Sequence, residues 1–81
     1  MTQHDIATIL TEELHRIAPD IDPDDTDPAA DLREEYDIDS MDFLTLVTAL
    51  GKRLGLEMPE ADYDQMRSFD ALAGYLRART G

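Results

Sequence analysis

The run "DSMDFLTLVTALGKRLG", residues 39–55, spaces its apolar side chains as a helix does. Phe43, Val47, Leu50 and Leu54 recur at intervals of four and three, with Leu44 and Leu46 beside that face, and no stretch of the run alternates as a strand would. Gly55 and then Pro59 supply stop signals at its far end. At the near end Ser40 stands between two aspartates where the helical pattern begins, so its hydroxyl can cap the first turn by accepting a backbone N–H. A helix N-terminus also favours an anion, so a serine there is well placed to bear a phosphodiester, and the two roles are compatible.

Upstream, residues 19–39 lose all periodicity, and "PDIDPDDTDP" combines aspartate and proline, which favour turns and interrupt helices. A long loop is expected, pinned to the core by Ile21, Leu32, Tyr36 and Ile38, with one helical turn near residues 29–35. Before it, residues 3–18 place Ile6, Ile9, Leu10, Leu14 and Ile17 on one helical face, with Thr2 and Asp5 in capping-box register and His4 and His15 on the opposite, solvated face. Downstream, "EADYDQM" suits a short helical turn burying Tyr63 and Met66. Ser68 then caps a last helix in which Phe69, Leu72, Ala73 and Leu76 share a face and Arg77 and Arg79 complement the dipole. The sum is an all-α fold: a small bundle of about four helices, with a long acidic loop between the first and second, forming a single domain over residues 1–81.

Composition narrows the function. The formal charge is -12, and residues 20–42 hold eleven of the nineteen acidic residues against one base, Arg33. Such a surface repels nucleic acid and anionic membranes and suits partners with basic surfaces. With no cysteine, there is no disulfide framework and no thiolate nucleophile. The N-terminus lacks a basic signal-like region and no apolar run reaches the length of a membrane span, so a cytoplasmic monomer is expected.

Two chemical readings fail on detail. Asp20, Asp22, Asp24 and Asp31 fall at positions 1, 3, 5 and 12 of a calcium-loop template, but Asp25 stands where that loop needs glycine and the last ligand is not glutamate, so no specific metal site is expected. Nucleophilic catalysis by Ser40 would need a base oriented beside it, and both histidines lie on the outer face of the first helix. A non-enzymatic protein is expected.

The stretch "DSMDFLTLV" resembles the D-S-L-D-x-(V/L)-x-L signature of acyl carrier proteins, and the resemblance extends over most of the chain through "ADL", "LGLEMP" and "SFDALAGYL". It implies that Ser40 carries 4′-phosphopantetheine, attached by a phosphopantetheinyl transferase, with Asp39 helping to hold the magnesium used in that transfer. The arm's thiol would hold acyl groups as thioesters, which accounts for a chain without cysteine, and the interior beside the second helix would shelter them. Acyl-loading and acyl-transferring enzymes would then dock on the outer stripe of that helix, formed by Met41, Asp42, Thr45, Ala49 and Lys52.

Three departures from the family pattern favour a specialised lipid or secondary-metabolite pathway. Asp37 replaces the glycine three residues before the serine, Thr45 a usual glutamate, and "GKR" at 51–53 a usually acidic trio. The alternatives are a stand-alone peptidyl or aminoacyl carrier, whose paired glycines before the serine are missing here, and an unmodified acidic helical adaptor or cation-binding protein.

Overall fold

The structure, a computed structural model, describes residues 6–80. Helix α1 runs Ile6–Ile17, the single turn α2 Leu32–Glu35, α3 Ser40–Leu54 and α4 Phe69–Thr80, with 3-10 segments at Pro23–Asp25 and Glu60–Met66. The helical bundle expected from the periodicity is the observed architecture. Thr2, His4 and Asp5 lie outside the described residues, while His15 is exposed as expected.

The core follows from the apolar stripes. Leu10 and Leu14 of α1, Leu46 and Leu50 of α3, Leu72 and Leu76 of α4 and Met66 of the second 3-10 segment are all sealed from solvent. α1 packs on both α3 and α4, and the Glu60–Met66 segment packs on α4. Leu46, placed beside the inward face by the spacing, is fully buried, whereas Leu44 is 48% exposed. α3 packs on α1, so the centre of its buried face is shifted toward Leu46.

The long loop is held as the sequence suggests. Leu32, Tyr36 and Ile38 are buried and Ile21 is half-buried. Two backbone bonds fasten it to the start of α4: Leu32 N–H donates to Arg67 O at 2.7 Å and Asp70 N–H to Pro28 O at 3.0 Å. Ser68 caps α4, its Oγ accepting from Ala71 N–H at 3.0 Å.

α3 ends in a tight lock. Gly55 adopts the left-handed conformation (φ 68°), and the N–H groups of both Gly55 and Leu56 turn back onto Gly51 O. The chain then passes so close to Gly51 that a Cβ there would sit 2.9 Å from Leu56 O.

Candidate phosphopantetheine-bearing site

The approach to Ser40 is shaped by how α2 stops. Tyr36 N–H bonds Leu32 O, Asp37 takes the left-handed conformation (φ 52°), and Ile38 N–H returns to Arg33 O at 3.0 Å, the long bond of a Schellman turn. Glycine is the usual residue at that turn position, and aspartate is one of the few others that tolerate it. Asp37 therefore keeps the backbone path that a glycine would give. The turn buries Ile38 and delivers Asp39 in extended conformation to the start of α3.

Ser40 is not the cap. Asp39 fills that role, its Oδ1 accepting from Asp42 N–H at 2.9 Å, and Ser40 becomes the first helical residue. Among the described residues the Ser40 hydroxyl has no hydrogen-bond partner, and the residue is exposed. Its Oγ is free for chemistry because its neighbour meets the helix's need.

Two recesses open beside Ser40. One, of about 430 Å³, is lined on its apolar side by Phe43, Leu44 and Tyr63 and on its polar side by Arg33 and Arg67 among others. Phe43 and Tyr63 meet edge to face in its lining, with ring centroids 5.6 Å apart. The second is lined by Arg33, Glu34, Ile38 and Asp39. An exposed, unengaged hydroxyl beside a partly apolar groove is what a long flexible arm on that oxygen requires, so these residues fit such a group.

Along α3 the expected docking stripe is reachable from outside. Met41 is 76% exposed, Thr45 and Lys52 are exposed, and Asp42 and Ala49 are half-buried. Thr45 turns its hydroxyl onto Met41 O at 3.0 Å. Arg53, part of the reversed-charge "GKR" run, faces elsewhere: Nη1 donates to Glu13 at 3.0 Å and Nη2 to Glu12 at 2.6 Å, and the residue ties α3 to α1. The hydrogen bond to Glu12, then that to Glu13, raises the Arg53 pKa above its already high ordinary value. Lys52, without a carboxylate partner among the described residues, is thus the charge reversal that a docking protein would meet.

The acidic loop uses its carboxylates on itself. Asp22 accepts from Asp24 N–H at 3.0 Å and Asp31 from Arg33 N–H at 2.8 Å, so two members of the calcium-loop pattern serve as caps. Among the described residues no three acidic or histidine side chains converge as metal ligands would.

A family model described as "Phosphopantetheine attachment site" matches residues 4–76. This chain belongs to the acyl carrier protein family. Proteins of this family are carriers rather than catalysts; they bear 4′-phosphopantetheine as prosthetic group and work with phosphopantetheinyl transferases and acyl-handling enzymes.

An acyl carrier protein of Bdellovibrio bacteriovorus is 27% identical over 74 residues, covering 91% of this chain and 88% of that protein. "Acyl carrier protein 2, mitochondrial" of Arabidopsis thaliana is 29% identical over 56 residues, 69% of this chain, and the match spans 44% of the plant protein. The solution structure of a candidate acyl carrier protein from Anaplasma phagocytophilum superposes with a TM-score of 0.82 at 19% identity, covering 100% of this chain and 94% of that one, which shows a shared fold. Among the described residues no helix is long and apolar enough to cross a membrane.

Sequence reasoning placed Ser40 at the start of α3 and Met41, Thr45 and Lys52 on its outer face, and that is where the structure has them. It missed the juxtaposition of Phe43 with Tyr63 and of Arg33 with Arg67 at the groove, because each pair joins distant parts of the chain. It also missed Arg53's partners. Glu13 sits next to the apolar Leu14 and is buried, and an acid at the edge of an apolar stripe was the available signal.

Proposed function

We propose that Ser40 bears the 4′-phosphopantetheine arm and that the chain presents acyl thioesters on it to partner enzymes of a specialised lipid or secondary-metabolite pathway. The observation that carries this reading is the exposed Ser40 hydroxyl, left unengaged at the start of α3 by the Asp39 cap. When bound, the arm supplies the thiol that the chain lacks.

The chain's own residues hold and expose the attachment point. Asp39 fixes the first turn of α3 with one carboxylate oxygen and keeps the other available for the magnesium of the transferase. The hydroxyl itself has no hydrogen-bonded base among the described residues, so in this reading the transferase takes its proton. Met41, Asp42, Thr45, Ala49 and Lys52 form the strip along which a partner reaches the arm. Complementary charge there governs encounter and choice of partner more than raw affinity. The specialised-pathway reading rests on Thr45 and Lys52, which offer a neutral and a positive group to partners suited to an acidic helix.

Co-expression with a promiscuous phosphopantetheinyl transferase followed by intact-mass measurement tests the attachment. Wild type should gain the mass of one arm and Ser40→Ala none. Modification of Ser40→Ala, or none of the wild type, would end this reading.

A further inference from the structure

Joining a phosphodiester to Ser40 puts a new negative charge into the most acidic part of the molecule, close in sequence to Asp37, Asp39 and Asp42. The only base between residues 20 and 42 is Arg33, and it lines both recesses that open beside Ser40. We propose that Arg33 is the phosphodiester contact, its guanidinium bonding the arm's phosphate and holding the first part of the arm against the α2–α3 turn.

The geometry sets Arg33 apart from the other arginines near the bundle's surface. Arg53 bonds Glu12 and Glu13, Arg67 bonds Asp64 at 3.0 Å, and Arg79 bonds Asp62 at 3.2 Å, while Arg16 and Arg77, which have no ion pair among the described residues, line neither recess beside Ser40. Arg33 has only a loose approach of Nε to Asp31 Oδ1 at 3.8 Å, and that oxygen already accepts from Arg33's own backbone N–H at 2.8 Å. Neither terminal nitrogen of Arg33 has a hydrogen-bond partner among the described residues.

The backbone beneath it is firm. Arg33 O accepts the Schellman bond from Ile38, and its neighbour Leu32 is buried and bonded to Arg67 O. A planar fork with free donors, carried on an anchored turn and lining the same two recesses as the serine proposed to receive the phosphate, matches the way guanidinium recognises phosphate. Arg67 reaches the same groove but lines only one of the two recesses and is already engaged by Asp64.

The inference rests on attachment at Ser40, so the experiment begins by verifying by intact mass that each protein is fully modified. If the arm is absent or lies elsewhere, the attachment reading fails and Arg33 loses its role with it. With modification verified, apo and holo forms of wild type, Arg33→Gln, Arg33→Lys and Arg67→Gln are melted at low and high salt, and the side-chain N–H resonances of Arg33 are followed by NMR.

In wild type, modification should perturb the Arg33 Nε–H resonance and leave Tm nearly unchanged. In Arg33→Gln, modification should lower Tm by roughly 2–4 °C at low salt, the scale of an exposed charge pair in a domain of this size, and by less at high salt. Arg33→Lys should recover part of the difference, and Arg67→Gln should behave as wild type. An apo-to-holo change identical in wild type and Arg33→Gln, an unmoved Arg33 resonance, or an equal loss in Arg67→Gln would overturn the assignment.

Discussion

The two ends of α3 contrast in what the fold leaves available. At the far end nearly every special group is consumed: Gly51 O accepts two N–H groups, Gly51 lies against the returning chain, and Arg53 is spent on Glu12 and Glu13 of α1. At the near end Asp39 meets the helix's capping need, so the Ser40 hydroxyl, Met41 and the guanidinium of Arg33 stay available to a ligand or a docking protein. One helix thus has an anchored end and a presenting end. A firmly anchored far end favours a constant position for the near end, which the proposed attachment at Ser40 requires.

Substitutions at the anchored end should have the largest effect on stability. Gly51→Ala forces its new Cβ against Leu56 O, backbone that cannot simply rotate away, and should cost about 1–3 kcal/mol in urea unfolding. Arg53→Glu should also lower Tm, because it sets a third carboxylate against Glu12 and buried Glu13. Lys52→Glu, one residue away and exposed, should stay within about 0.5 kcal/mol of wild type. Combined with Thr45→Glu, it should raise turnover by ordinary fatty-acid synthase enzymes given the same acyl cargo. Equal, salt-insensitive turnover would remove the basis for a specialised partner set.

At the presenting end the contrast lies between two neighbours. Asp39→Ala removes the cap and should cost about 0.5–2 kcal/mol, while Ser40→Ala should change stability by only a few tenths of a kcal/mol. Thermal or urea melts of the apo proteins decide it. A Ser40→Ala loss as large as that of Asp39→Ala would mean that the serine does cap the helix.

The smallest effect should come from the clasp between the Glu60–Met66 segment and α4. Tyr75 donates to Asp62 at 2.6 Å, and Arg79 bonds the same carboxylate and lies over the Tyr75 ring, 3.8 Å from its centroid. Burial first, and the hydrogen bond to Asp62 second, raise the Tyr75 pKa above its ordinary 10.0, with Arg79 opposing. The folded state therefore keeps a proton that the unfolded chain releases. The contribution is fully present below about pH 10 and is lost as pH rises through the folded value. Urea melts of wild type should show stability falling above pH 10, and Tyr75→Phe should flatten that fall.

Much of this was legible in the residues. The stripes of α1 and α3, the Ser68 cap, the anchoring of the loop by Leu32, Tyr36 and Ile38, and the exposure of Met41 all follow from spacing and side-chain chemistry. Leu44 and Leu46 did not separate, because angular position on a helix says which residues share a face but not where the neighbouring helices stand. Asp39 and Ser40 are both good caps, and local propensity cannot choose between adjacent candidates. Asp37 departs from the family's glycine, yet it holds a left-handed turn position of the kind that glycine usually fills.

The sequence by itself determined the helical class, the single acidic segment and the place of Ser40 at a helix start, since periodicity, charge and capping chemistry are local properties. Tertiary structure alone decided that Asp39 rather than Ser40 spends its side chain on the cap, through the Schellman turn that delivers it. It also decided that Arg53 is paired with Glu12 and Glu13 while Arg33 is left open on the recesses beside Ser40. Which charges are paired depends on which helices meet, and residues 40 positions apart, such as Glu13 and Arg53, meet only when the chain is folded.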